Sequence, residues 1–241
     1  FGQIFDYDGT KINDSFIVNH QSIGDQYNGS ISELSDGSLA ISWYSLINNG
    51  DTFTSEIFNR VFWEDGAQST PAVSLTQQIT DPYSRTIGSS VETVALTDGQ
   101  FVTIWQDNKT QYGQIFDQNG SPNTEKLVLT DDINTINLVE AIALENGGFA
   151  IARTSGAYPE TNKIMSIFSS AGDLVGTEIY LNETYQSYNE IILQTIDGNK
   201  IFVALKEPDD DGDLRIVGHT FDFIGNRIGN QKITDAVNKL F

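Results

Sequence analysis

The chain has no cysteine in its 241 residues, which excludes a disulfide framework and every thiolate metal site. Histidine is nearly missing too. His20 and His219 are the two copies, one in a linker and one in a strand, so there is no His pair at metal-ligand spacing, and neither a Gly-x-Ser-x-Gly turn nor a phosphate-cradling Gly loop is present. Basic residues are scarce: 13 Lys and Arg against 33 Asp and Glu leave a formal charge of −20. Such a chain repels phosphate backbones and anionic lipid surfaces, so nucleic acid is excluded as a partner. No apolar run approaches the ~18 residues that a membrane-crossing helix requires, and no membrane insertion is expected. Helical periodicity is also wanting, except for a short C-terminal tail at 235–241.

What the chain has is a repeat. Phe5-Asp6-Tyr7-Asp8-Gly9 returns as Phe62-Trp63-Glu64-Asp65-Gly66, Phe116-Asp117-Gln118-Asn119-Gly120, Phe168-Ser169-Ser170-Ala171-Gly172 and Phe221-Asp222-Phe223-Ile224-Gly225, with the glycines 57, 54, 52 and 53 residues apart. A fixed period of this size marks a unit that cannot bury its own apolar face and stacks on copies of itself. Each copy also carries a second hairpin signal, as at Asp98-Gly99 between the apolar runs 91–96 and 101–105. It recurs at Asp36-Gly37, Asn146-Gly147 and Asp197-Gly198, where glycine accepts the positive φ of a tight turn. Alternate residues such as Leu39, Ile41 and Trp43 share one strand face.

Four strands per ~50-residue unit match a propeller blade. The expected fold is therefore all-β: a β-propeller or propeller-like array of four-stranded antiparallel blades, about four and a half repeats in a single array. The blades fall at 30–76, 90–131, 139–182 and 190–234. Residues 1–19 read as a half-blade, the second hairpin of a blade: either they complete a blade whose first half lies elsewhere, or the array is part of a longer chain.

The motif Tyr112-Gly113-Gln114-Ile115-Phe116-Asp117-x-x-Gly120, with Ala95-Leu96-x-Asp98-Gly99-x-Phe101-Val102-x-x-Trp105 before it, resembles repeats of large exported bacterial surface proteins of the adhesin-like, calcium-associated type. The resemblance covers essentially the whole chain. It weakens where the Trp43 and Trp105 position becomes Arg153 and then Ala204 or Leu205. It implies a non-catalytic extracellular or cell-surface module whose partners are other proteins, copies of itself or surface glycans.

Three candidate sites follow. Glu207, Asp209, Asp211 and Asp213 surround Gly212 in a loop that could point hard oxygens at one Ca²⁺, although no bidentate Glu follows; the competing reading is a solvated hairpin tip. Glu92, Glu140 and Glu190 recur near the start of each blade's first strand, with Ser30 or Ser32 in the first blade, and would ring one mouth of a channel as ligand-binding carboxylates. Trp43 and Trp105 continue the inward alternation and read as inter-blade packing, whereas Trp63 stands at a turn, where an indole face suits a sugar. No catalytic constellation emerges, so the chain is expected not to be an enzyme. The expected function is a structural or adhesive module presenting loops for protein, glycan or self-association. The alternative is a carbohydrate-binding lectin or a glycoside hydrolase using the propeller face, since hydrolysis needs only two suitably spaced carboxylates.

Overall fold

The structure, a computed structural model, describes residues 1–19, 24–76, 79–81, 91–107, 110–130, 137–156, 162–181, 191–197, 199–208 and 211–232. The described residues form strands and turns and contain no helix. The expected C-terminal tail at 235–241 lies outside them. The chain divides into two units, Phe1–Thr130 and Asp131–Phe241.

The first unit contains β1 (Gly2–Phe5), β2 (Lys11–Phe16), β3 (Asp25–Glu33), β4 (Leu39–Asn48), β5 (Phe53–Phe62), β6 (Val73–Ser74), β7 (Ile79–Asp81), β8 (Val91–Ala95), β9 (Phe101–Asp107), β10 (Thr110–Phe116) and β11 (Leu127–Thr130). Strands β1 and β2 make a two-stranded sheet, the half-blade. The order β3-β4-β5-β6, with β7 also pairing β5, makes blade 1, and β8-β9-β10-β11 makes blade 2. The second unit contains β12 (Asn137–Ala143), β13 (Phe149–Ser155), β14 (Asn162–Phe168), β15 (Ile179–Tyr180), β16 (Ile191–Ile196), β17 (Lys200–Pro208), β18 (Leu214–Asp222) and β19 (Arg227–Lys232). Blade 3 is β12-β13-β14-β15 and blade 4 is β16-β17-β18-β19. Every pairing is antiparallel. The fold is all-β, built from propeller-type blades.

The period-two pattern explains the packing. In unit 1, Ala40, Tyr44, Ile57 and Val61 of blade 1 meet Phe101, Trp105 and Phe116 of blade 2 in one buried cluster. In unit 2, Ala150, Ala152, Met165 and Ile167 of blade 3 meet Leu193, Val203, Leu205 and Val217 of blade 4. Polar side chains also tie neighbouring innermost strands together. Ser30 Oγ accepts from the Thr93 N–H at 3.0 Å and Ser32 Oγ from the Ala95 N–H at 2.9 Å. In unit 2 a Glu140 carboxylate oxygen accepts from the Leu193 N–H at 2.6 Å.

Candidate functional site

The Phe-x-x-x-Gly turns share one backbone. The residue after Phe donates its N–H four residues on and accepts from the turn glycine, as in Asp117 N–H to Ser121 O (2.9 Å) and Gly120 N–H to Asp117 O (2.9 Å). The five glycines hold φ between 75° and 90°, a region other residues enter only at a steric penalty. In four copies the residue after Phe also caps the turn with its side chain. Asp6 Oδ1 accepts from Asp8 and Thr10, Asp117 Oδ1 from Asn119 and Ser121, Ser169 Oγ from Ala171 and Asp173, and Asp222 Oδ1 from Ile224 and Asn226. This is the local bonding that makes Asp and Ser turn residues.

Blade 1 departs from this rule. Its residue at the capping position is Trp63, which keeps the backbone bonds to Ala67 O and from Gly66 but has no side-chain acceptor to offer. Asp65 takes over part of the task, accepting from the Ala67 N–H at 2.8 Å. The Trp63 side chain is instead turned outward, 47% exposed. A repeat that gives up a side-chain cap and exposes a Trp departs from the local rule of the other four, which makes Trp63 the candidate functional position of this turn.

Polar groups gather at the turns of this face. Glu64 and Asp65 follow it in the turn, and Asn13 Nδ2 of the half-blade donates to Asp65 O at 3.3 Å. Glu64 also reaches the neighbouring hairpin tip, where a side chain on Gly37 would meet its Oε2 at 3.2 Å. Beside Gly37, the Ser38 hydroxyl and amide hold the Asp36 carboxylate below the usual carboxylate range. The tip of blade 2 adjoins: a side chain on Gly99 would meet Ser35 Oγ and Gln118 Oε1, each at 3.1 Å. Unit 1 therefore presents an exposed indole in one turn, with carboxylates, hydroxyls and amides at that turn and at the hairpin tips of blades 1 and 2. Trp63 was legible from its place at a turn. Glu64, Ser35 and Gln118 were not, because their grouping depends on how adjacent blades align.

The remaining sequence candidates are placed differently. Glu92 is half-buried on β8, opposite Ile104. Glu140 occupies the equivalent position of blade 3, opposite Ala152, but its carboxylate is bonded to β16. Burial raises its pKa, opposed by the bond from Leu193. In blade 4 the pairing sets Ile192 at this position, opposite Ala204 and 60% exposed. Register therefore corrects the expected equivalence with Glu190, which itself lies outside the described residues. The physical reason is that Ile196 pairs Lys200 as Leu96 bonds Gln100 in blade 2, so that Asp197, at φ 47°, takes the turn position of Thr97 and not that of Asp98.

Of the acidic loop, Asp209 lies outside the described residues, while Asp211 and Asp213 stand at the turn. Glu207 belongs to strand β17, opposite Arg215. His219 Nε2 lies 3.8 Å from its Oε1, and the bond to His219 holds its carboxyl below the usual range against the effect of burial, with help from Arg215 and Lys163. Among the described residues no group of three His, Cys, Asp or Glu side chains is placed to hold a metal ion. Trp43 and Trp105 are buried as expected, Trp43 stacking on Phe58. At the same position Arg153 is buried in an ion pair with Glu178, and Leu205 packs in the core.

No protein-family model and no curated protein matches this sequence. Solved structures do. A protein of unknown function from Dyadobacter fermentans is similar at TM-score 0.50 and 9% identity, over 95% of this chain and 71% of that one. The endo-arabinase of Bacteroides thetaiotaomicron is similar at TM-score 0.43 and 10% identity, over 92% and 85%. The GH62 α-L-arabinofuranosidase catalytic domain of Coprinopsis cinerea is similar at TM-score 0.44 and 9% identity, over 88% and 69%. At such identities the likeness shows the fold alone. Two of the three, the endo-arabinase and the arabinofuranosidase, are carbohydrate-cleaving enzymes, so this fold gives no support to the expected non-catalytic structural or adhesive module, and the expectation that the chain is not an enzyme is withdrawn. No helix among the described residues is long and apolar enough to cross a membrane.

Proposed function

We propose that this chain is a carbohydrate-directed β-propeller protein that holds a glycan against Trp63 on the turn face of unit 1. The observation that carries the reading is the replacement of a turn-capping Asp or Ser by an exposed Trp in one repeat out of five. An indole face stacks on the C–H surface of a sugar ring, while the carboxylates, hydroxyl and amide of Glu64, Asp36, Ser35 and Gln118 are suited to its hydroxyl groups. Surface loops on a rigid scaffold are the usual seat of such recognition. An extracellular or cell-surface location accords with a glycan ligand. A glycan array probed with the intact chain tests the proposal: a defined set of glycans retained by the chain and lost with Trp63→Ala supports it, and retention of none overturns it.

Glycoside hydrolysis is a second reading, favoured by Glu140. Burial shifts its half-buried carboxyl upward against the bond from the Leu193 N–H, which is the direction a general acid requires. Release of reducing sugar from a glycan found on the array, abolished by Glu140→Gln, would establish it; no release with the unmodified chain removes it.

A further inference from the structure

Blades 1 and 2 pack together within unit 1, blades 3 and 4 within unit 2, and the strand registers allow the two interfaces to be matched residue by residue. Ser42 precedes Trp43 as Ala152 precedes Arg153, so Ser42 and its cross-strand partner Asn59 correspond to Ala152 and Met165. Thr103 precedes Trp105 by two as Val203 precedes Leu205, so Thr103 and its partner Thr93 correspond to Val203 and Leu193. The unit 2 layer of Ala152, Met165, Leu193 and Val203 is apolar and lies in one buried cluster. Its unit 1 counterpart is as deeply buried, with Ser42 and Thr103 at 0%, Asn59 at 1% and Thr93 at 3% exposure, yet all four side chains are polar.

A polar group loses its solvent on burial, and one left without a partner costs stability. One bond is made within the layer, where Ser42 Oγ and Thr93 Oγ1 lie 2.5 Å apart. The remaining groups are not balanced. Among the described residues, Asn59 Oδ1, Asn59 Nδ2 and Thr103 Oγ1 meet no protein donor or acceptor, nor does Nε1 of Trp105 two residues on from Thr103. Gln114, opposite Thr103 on β10, gives its amide to Thr124 O at 2.8 Å. The unpaired groups share one interface. Strand β8 bonds to β3 and β4, so β9 beside it lies over β4 and β5, where Phe101 and Trp105 meet Ala40, Tyr44, Ile57 and Val61. That alignment sets Thr103 over Ser42 and Asn59.

We propose that this layer is an internal water site, with one or more water molecules enclosed between blades 1 and 2 and held by Asn59 and Thr103. Water accepts from Asn59 Nδ2, donates to Asn59 Oδ1 and takes the remaining bond at Thr103 Oγ1, within the ~3 bonds that an enclosed water makes. The mixture of groups selects it. A cation has no use for the donors Asn59 Nδ2 and Trp105 Nε1, and an anion has none for Asn59 Oδ1. Blades 1 and 2 are thus joined through a hydrated polar layer where blades 3 and 4 are joined through a dry one.

A crystal structure of the intact chain, at a resolution that shows ordered solvent, tests the proposal directly. Water density bonded to Asn59 and Thr103, with none between Ala152 and Val203, is expected. No density at Asn59 and Thr103, or density with the short all-oxygen coordination of a metal ion, overturns it. Thr103→Val gives a second reading, because valine keeps the shape of threonine and removes its hydroxyl. A hydroxyl bonded to water stabilises the fold, so the denaturation midpoint of the variant should fall; a hydroxyl with no partner would make the midpoint rise. A raised or unchanged midpoint overturns the proposal. Neither measurement involves Trp63, so this inference and the glycan reading stand or fall separately.

Discussion

The turn after Phe116 and the turn after Phe62 have the same backbone and opposite surfaces. In the first, Asp117 bends back to satisfy two N–H groups; in the second, Trp63 leaves that task partly to Asp65 and faces solvent. Where copies of a repeat agree, the shared residue serves the fold. Where one copy departs from the others at a local cost, the departing residue is the place to look for function.

The comparison rests on the blades being equivalent, and the largest predicted effect tests that. Phe101 and Phe149 hold the same blade position, both fully buried and stacked on Phe116 and Phe168 with centroids 5.1 and 4.9 Å apart. Each substitution to Ala should lower unfolding free energy by about 3–5 kcal/mol in denaturant titrations. A loss at one site several-fold smaller than at the other would break the equivalence.

Next come the ties between inner strands. Glu140→Ala should cost about 1–3 kcal/mol by leaving the Leu193 N–H unpaired, and Ser30→Ala a similar or smaller amount at Thr93. Chemical denaturation of the two variants measures both. Equal stability to the parent in both cases would show that these bonds are not needed to hold blade to blade.

The capped turns give a smaller effect of opposite sign in the two members of the pair. Asp117→Ala should destabilise by about 1 kcal/mol, whereas Trp63→Asp should stabilise by a few tenths to about 1 kcal/mol by restoring the cap. Destabilisation by Trp63→Asp would mean that Trp63 serves packing.

Dependence on pH should separate the hydroxyl ties of unit 1 from the charged groups of unit 2. The Glu207 carboxyl is held below the ordinary glutamate value of 4.5, so its contribution is present above that value and lost as pH falls through its folded pKa. Glu140 is shifted upward from 4.5, so its contribution is present below that value and lost as pH rises through its folded pKa. Glu207→Gln should flatten the acid limb of the stability curve and Glu140→Gln the limb above it. Ser30→Ala should displace the curve without reshaping it.

The strands and turns were legible in the sequence because their determinants are local: Gly66, Gly120 and their counterparts must adopt positive φ, and Trp43 and Trp105 fall on the inward phase of a period of two. The exposure of Trp63 was legible as well, from its place at a turn where the other copies carry Asp6, Asp117, Ser169 and Asp222. What escaped depends on contacts between strands distant in the chain. Glu140 looked like a channel carboxylate because nothing nearby in sequence announces the Leu193 N–H it meets 53 residues on. Ile192 stands where Glu190 was expected because Asp197 takes the turn position of Thr97 and not that of Asp98, and nothing in the acidic run at 207–213 announces the Arg215 and His219 that Glu207 faces on the next strand.

The most direct test of the account is the binding of an array-selected glycan to Trp63→Asp, measured beside its unfolding free energy. The account predicts a protein at least as stable as the parent that no longer binds the glycan. Unchanged binding, or lost binding accompanied by lost stability, would contradict it.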